Sequence, residues 1–165
     1  MPTESDLNLL VDVSLQRLTV RDGEQVLAEY PVSTAANGLG EKEGSECTPK
    51  GLHCIAEKIG DGEPEGAVFV GRQPTGEVYS SDLAEEHPDR DWILSRILWL
   101  SGQEVGINRL GHVDSLHRYI YIHGTPDSEP MGEPRSHGCI RMRNSDVIEL
   151  FDKVDVGTKV MITQS

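Results

Sequence analysis

Apolar and polar positions alternate with a period of two over most of this chain, a spacing that predicts strands. Asn8 to Val13 opens the series. Gln16 to Val20 and Gln25 to Ser33 follow, joined at Arg21-Asp22-Gly23-Glu24, where Asp-Gly between β-rich runs predicts a hairpin. Val26, Ala28, Tyr30 and Val32 alternate, predicting one buried face. Leu52 to Lys58 reads as a strand with Leu52, Cys54 and Ala56 on one face, which makes Cys54 a small core residue. Trp92 to Leu100 is the most apolar run; its period fits a strand or a helix, and its short length favours a strand. Arg118 to His123 is a strand with Ile120 and Ile122 inward. Tyr119, Tyr121 and His123 then share the other face, which puts His123 at the mouth of a groove lined by the tyrosines.

The period changes to 3.6 after residue 143. Asn144 to Val154 reads as a helix with Val147, Leu150, Phe151 and Val154 as its apolar stripe, Asn144 or Ser145 as N-cap, Asp146 and Glu149 favouring its first turn and Lys153 its last. Thr158 to Thr163 is a closing strand after Gly157. Ala35 to Gly51 is a long loop ending in the tight turn Thr48-Pro49-Lys50-Gly51, either a mobile segment or a wall of the substrate groove. Gly60 to Asp91 is rich in Gly, Pro and acids. It carries the short apolar run 67–70, read as a strand or hairpin, and a helical turn near Asp82 to Glu86. This stretch is either a lid or surface decoration. The sum is a mainly β chain with few helices, α+β in class, forming a single domain over residues 1–165 without repeats or linkers.

Composition narrows the function classes. At 165 residues the chain is long enough for one core. A net charge of −13 argues against nucleic acid as a partner, because phosphates demand a basic face. No apolar run approaches the ~20 residues of a membrane span. The first six residues, MPTESD, are acidic and lack a basic or long apolar region, so no secretory leader is expected. The chain as written is therefore expected in the cytoplasm, and in the periplasm or cell wall if a longer form carries a leader. Three cysteines, an odd number, do not suggest a disulfide framework. Oligomeric state is not legible in the sequence.

Chemistry concentrates in Tyr121 to Asn144, YIHGTPDSEPMGEPRSHGCIRMRN. A thiol acts as acyl acceptor only as thiolate, and at its reference pKa about 3% is ionised at pH 7. An imidazole, a cation or main-chain N–H donors can change that. Cys139 is the candidate nucleophile. His137, two residues away, lies on the same side of an extended backbone and is read as supportive. His123, 16 positions upstream at the end of a strand, can be folded back onto the thiol as general base. Gly138 lets a carbonyl approach the backbone, and its N–H and that of Cys139 are candidate oxyanion donors. Arg135, Arg141 and Arg143 cluster around Cys139 in sequence, a positive patch suited to a substrate with carboxylates. Arg141, with its planar fork, is the foremost candidate to bind one. Tyr121, Gly124 and Ser136 complete the candidate substrate-binding set, although a turn-capping role for Ser136 leads.

HGT followed by SHGCIRMRN resembles the YkuD-type L,D-transpeptidase domain, whose pattern is His-Gly, a variable gap, then Ser/Thr-His-Gly-Cys. VDVSLQRLTV, YPVST and TPKG are similar to that domain too, and Gly60 to Asp91 matches it least. The resemblance implies a β-sandwich or cradle fold with one helix after the nucleophile. It also supports a strand at Trp92 to Leu100. It implies a cysteine acyl-transferase acting through a thioester on peptidoglycan stem peptides, at the bond between the L-centre of diaminopimelate and a terminal D-alanine. No cofactor and no metal are implied. Cys139 is then the nucleophile and His123 the base, oriented partly by a main-chain carbonyl. Acylation by carbapenem-type β-lactams is also implied.

Two questions stay open at this level. Release of the acyl-enzyme by water would make an L,D-carboxypeptidase of muropeptide recycling, the reading favoured by the lack of a leader. Release by an amine would make a transpeptidase or a D-amino-acid exchanger at the cell wall. The rival from another class is a zinc module built from His123, His137 and Cys139 with His112 or His117. His-x-Cys beside arginines is poor for it, because structural zinc sites show CxxC or HxxxH spacings.

Overall fold

A computed structural model describes residues 7–164. The reading of the acidic first six residues therefore lies outside the described residues. The elements in order are β1 (Leu7–Asp12), β2 (Arg17–Asp22), β3 (Gln25–Pro31), β4 (Gly51–Ile59), β5 (Ala67–Val70), β6 (Gln73–Val78), α1 (Ser81–Glu86), β7 (Ile93–Gly102), β8 (Tyr121–Thr125), β9 (Ile140–Arg143), α2 (Asn144–Lys153) and β10 (Lys159–Thr163). A 3₁₀ turn, Gly111–Val113, lies between β7 and β8. The fold is mainly β with two helices, one of them directly after the candidate nucleophile. Both the strand reading of Trp92 to Leu100 and the hairpin and helical turn within Gly60 to Asp91 are found.

The strands form one curled sheet in the order β3-β2-β1-β10-β4-β7-β5-β6. Most pairs are antiparallel, but β1 lies parallel to β10 and β8 parallel to β9. The ten-residue β7 is the hub. It pairs with β4 and β5, and β8 is laid against it with Leu98 opposite Ile122 and Trp99 opposite Tyr121. Leu9, Val11, Leu18, Val20, Ile55, Leu98, Ile122, Ile140, Val160 and Ile162 fill the main core. The stripe of α2 closes that core: Val147, Leu150, Phe151 and Val154 are buried as the 3.6 period predicts. Each such side chain contributes roughly 1.5–3 kcal/mol of burial. Lys58 Nζ donates to Val154 O at 2.6 Å and sits 4.3 Å above the Phe151 ring, so β4 satisfies a carbonyl at the helix C-terminus.

Several expectations need correction. Val26 is half exposed, because a register shift between Val20 and Arg21 breaks the alternation of the hairpin; Tyr30 and Val32 remain buried. In β4 the inward face carries His53 and Ile55, while Leu52, Cys54 and Ala56 are only half-buried. A fully buried histidine with both ring nitrogens bonded, to Gly51 O at 3.0 Å and to Ser115 Oγ at 2.8 Å, stands where the sequence suggested polarity. The α2 N-cap is Arg143, without a side-chain bond. Asn144 is instead turned inward, accepting from Ser95 Oγ at 2.6 Å and donating to Thr125 O at 3.1 Å. The strand expected from Arg118 begins only at Tyr121. Residues before it form a turn held by Asp114, and Tyr119 takes φ +57° there.

Candidate active site

The parallel register of β8 and β9 assembles the site. Ile122 faces Ile140 and His123 faces Arg141, so Tyr121 and His123 share a face with Cys139 and Arg141. Ile122, Ile140 and Met142 point the other way, into the core beneath α2. The Cys139 thiol lies over the start of β8. Tyr121 N–H donates to Sγ at 3.4 Å, and the thiol donates to Tyr119 O at 3.4 Å.

The turn before Cys139 is braced on two sides. Ser33 and Arg141 exchange backbone bonds of 2.9 and 2.8 Å, Ser136 N–H donates to Thr34 O at 2.8 Å, and Ala36 N–H donates to Ser136 O at 3.0 Å. Thr48, wholly buried, accepts from Ala35 N–H at 2.9 Å and donates to Gly138 O at 2.9 Å. Gly138 has φ +134° and passes so close to Cys47 O that an added Cβ would lie 3.3 Å from it. Only glycine accepts both conditions. Ala35 to Gly51 is thus a wall against the nucleophile turn.

His123 is buried, and its Nδ1 lies 2.7 Å from Gly124 O. A carbonyl only accepts, so Nδ1 carries the proton and Nε2 keeps a free lone pair. Burial pulls the His123 pKa below its usual value; the Gly124 carbonyl and Asp91 oppose this, and Arg141 adds to it. Burial also pushes the Cys139 thiol up to about 12, despite the Tyr121 N–H and the guanidiniums of Arg141 and Arg118. At neutral pH the site therefore rests as thiol and neutral imidazole.

Arg141 is nearly buried and acid-paired. Its guanidinium is 3.3 Å from Asp91 and 4.0 Å from Glu129. Two clefts meet at Arg141, Glu129 and His137. One, of about 710 Å³, runs along Glu133 and Arg135, and the other, of about 220 Å³, along Asp89 and Asp91.

A sequence profile of the L,D-transpeptidase catalytic domain, YkuD, matches residues 8–162. The chain belongs to the YkuD family of L,D-transpeptidase catalytic domains. YqjB of Bacillus subtilis (strain 168), an L,D-transpeptidase by name, is 52% identical over 46 residues, which are 28% of this chain and 26% of YqjB. Among solved structures, an L,D-transpeptidase from Mycobacterium smegmatis superposes with a TM-score of 0.55 at 18% identity, over 95% of this chain and 58% of that one. L,D-transpeptidase 3 from Mycobacterium tuberculosis, in complex with a faropenem-derived adduct, gives 0.58 at 18%, over 96% and 60%. The curated match is thus local, and the chain spans about three-fifths of these solved chains.

In this L,D-transpeptidase domain the expected site residues separate by what they touch. Cys139, His123 and Arg141 come together, and the exposed His137 lines both clefts. His123 lies behind the surface, only 1% exposed, and not at a groove mouth. Ser136 Oγ accepts from Gly138 N–H at 3.2 Å and donates to Cys139 O at 2.5 Å, so it ties the turn, and the Gly138 N–H is already engaged. Gly124 is a packing residue: a Cβ there would lie 2.5 Å from Leu94 O and from Asn144 Oδ1. Tyr121 is buried, with its hydroxyl held by Arg72. The expected cluster of three arginines is not formed. Arg143 is exposed at the start of α2, and Arg135 pairs with Glu133 at 2.9 Å on the outer cleft. Arg118, bonded to Cys47 O at 2.6 Å and to Gly40 O at 3.2 Å, takes their place beside the thiol. His112 and His117 are exposed and pair with Glu43 and Asp114. Among the described residues no three His, Cys, Asp or Glu side chains are grouped to hold a metal. Sequence reasoning missed Asp91, Arg118 and Arg72, which reach the site from three separate loops with no motif of their own.

Proposed function

We propose that this domain transfers the acyl group of a peptidoglycan stem peptide to an amine through a thioester on Cys139. The observation that carries this is the placement of a single-tautomer, buried His123 and of Cys139 on one face of β8 and β9, within a YkuD domain. Because both groups rest neutral, proton transfer accompanies attack. The thiol leaves its bond to Tyr119 O, Nε2 of His123 takes its proton, and Sγ bonds to the carbonyl on the L-centre of diaminopimelate. The Cys139 N–H supports the oxyanion, since the Gly138 N–H is engaged by Ser136. Collapse of the tetrahedral intermediate breaks the C–N bond, and protonated His123 gives its proton to the departing D-alanine amine. An incoming amine then loses a proton to Nε2 as it attacks the thioester, and Cys139 leaves as thiol.

The acids of the clefts support an amine as acceptor. Asp89, Asp91, Glu129 and Glu133 outnumber the arginines there, and an ammonium group is drawn to such a lining. The preference for water rested on the first residues of the chain, which lie outside those described. The test is mass spectrometry of a murein tetrapeptide incubated with the protein, with and without excess D-methionine, beside Cys139→Ala. Replacement of alanine by methionine supports the proposal. Loss of alanine in both tubes assigns an L,D-carboxypeptidase instead. Full activity of Cys139→Ala refutes the acyl-enzyme.

A further inference from the structure

Arg72 stands at the tip of the β5–β6 hairpin. Its guanidinium lies 4.8 Å from the Trp99 ring and 4.9 Å from the Tyr119 ring, and Nη1 donates to Tyr121 Oη at 3.1 Å. These aromatic residues form the wall beside the thiol: Tyr119 O and Tyr121 N–H are the two bonds of Cys139 Sγ, and Trp99 packs on both tyrosine rings. Arg72 holds this place with φ +65°, directly after Gly71 at φ +57°, a two-residue turn that favours Asn or Gly at both positions. A bulky residue there is strained, and the stacking offsets the strain.

Arg72 makes no ion pair among the described residues. Its bond to Tyr121 raises its pKa, and Glu57, opposite Trp99 across β4 and β7, is close enough to add to this but is not bonded to it. Among the described residues, arginine–carboxylate pairs are made by Arg17, Arg90, Arg135 and Arg141. In a chain of net charge −13 this arginine, stacked on the aromatic residues next to the nucleophile, is in no such pair. Arg141 is already matched by Asp91 and Glu129. A guanidinium held over two rings and bonded through one nitrogen to Tyr121 presents its other N–H groups as a planar fork. That fork matches a carboxylate.

We propose that Arg72, rather than Arg141, binds a carboxylate of the donor peptide and so sets its position over Cys139. This rests on the acyl-transfer reading above and names the specificity residue of that site. Two carboxylates qualify by chemistry: that of the terminal D-alanine and that of the diaminopimelate side chain.

The experiment compares wild type, Arg72→Asn and Arg72→Lys on three murein tetrapeptides: unmodified, amidated at the terminal D-alanine, and amidated at diaminopimelate. Asparagine tolerates the positive φ, so the turn is kept. Arg72→Asn is expected to raise KM on the unmodified peptide about tenfold or more, with kcat within about twofold. Arg72→Lys recovers part of that loss. Amidating the carboxylate that Arg72 reads costs wild type a similar factor and costs Arg72→Asn nothing further, which identifies the source. An equal loss of Arg72→Asn on all three peptides, or an unchanged KM, overturns the proposal. Binding by isothermal titration in a Cys139→Ala background separates the two readings. If wild type turns over none of the peptides, the acyl-transfer reading fails. Weaker binding by the Arg72→Asn double variant still supports the contact, and equal or absent binding overturns it.

Discussion

His123 donates its Nδ1–H to the carbonyl of its neighbour Gly124 at 2.7 Å, and this bond fixes which ring nitrogen can serve the thiol. It also helps hold a buried imidazole that is neutral at rest. Cys139 is correspondingly a thiol, pushed up to about 12 by burial. Both shifts favour a neutral thiol and imidazole over a preformed thiolate–imidazolium pair.

Alkylation tests this directly. The rate of Cys139 modification by iodoacetamide, read at that cysteine by peptide mass spectrometry, is expected to be negligible at pH 5–6. It should climb about tenfold per pH unit through the neutral and alkaline range, since only the thiolate reacts. A plateau of fast alkylation from pH 5 upward would show a stable ion pair and refute this resting state. Turnover behaves differently. It falls only as pH drops through the His123 pKa, which lies below the usual histidine value, so activity persists into mildly acidic solution.

Asp91 tunes both partners. Its carboxylate raises the pKa of His123 and of Cys139 and holds Arg141 at 3.3 Å. Asp91→Asn removes the negative charge and leaves Arg141 with Glu129 as its remaining acid partner, so its positive charge acts more strongly on both groups. The acid limb of the activity profile is expected to move to lower pH, and Cys139 alkylation at pH 8 to become faster. Unchanged profiles would mean that Asp91 acts on neither group. The residue is exposed, so the substitution should leave stability within about 0.5 kcal/mol.

His53 carries a stability prediction with a definite sign. Burial lowers its pKa to about 4, against an unfolded value near 6.5. The unfolded chain thus binds a proton that the folded chain refuses. The stabilisation is complete above pH 6.5 and is lost progressively as pH falls from 6.5 to 4, by about 3 kcal/mol for this one group. Urea titrations of wild type and His53→Gln at pH 7 and pH 4 measure it. The loss on acidification should be smaller by that amount in the variant. An imidazole that titrates near pH 6.5 by NMR would contradict the shift.

Much of this was legible from the sequence for a physical reason. Two-residue alternation located β1 and β10, and the switch to a 3.6 period located α2, because each of these buries one continuous face; β7, buried on both faces from Leu94 to Leu98, was legible only as a short apolar run. Cys139 and His123 were singled out because their glycine neighbours mark close backbone approach. Position within a face was less so. His53 is buried because Gly51 O and the distant Ser115 satisfy both its nitrogens, which no hydropathy pattern encodes. Asn144 was read as a cap because its side chain favours caps, but Ser95 and Thr125 O outcompete the helix end for it. The charged groups around the thiol, Arg72, Asp91 and Arg118, come from loops that only the folded sheet brings together.

Thr48 links the segment 35–51 to the nucleophile turn, and it should be felt in rate before it is felt in fold. Its hydroxyl spans from Ala35 N–H to Gly138 O, one residue before Cys139, with no access to solvent. Thr48→Val keeps the volume but leaves a buried donor and a buried acceptor unmatched, at a cost of about 1–3 kcal/mol. Gly138 O is then free to rotate, and with it the peptide that carries the Cys139 N–H and the thiol. A misplacement of that kind lowers kcat on the order of 10²-fold while leaving substrate binding largely intact. Thr48→Ser retains the hydroxyl and should recover most of the activity. A Thr48→Val protein with a wild-type kcat would show that the wall formed by residues 35–51 is scaffolding alone.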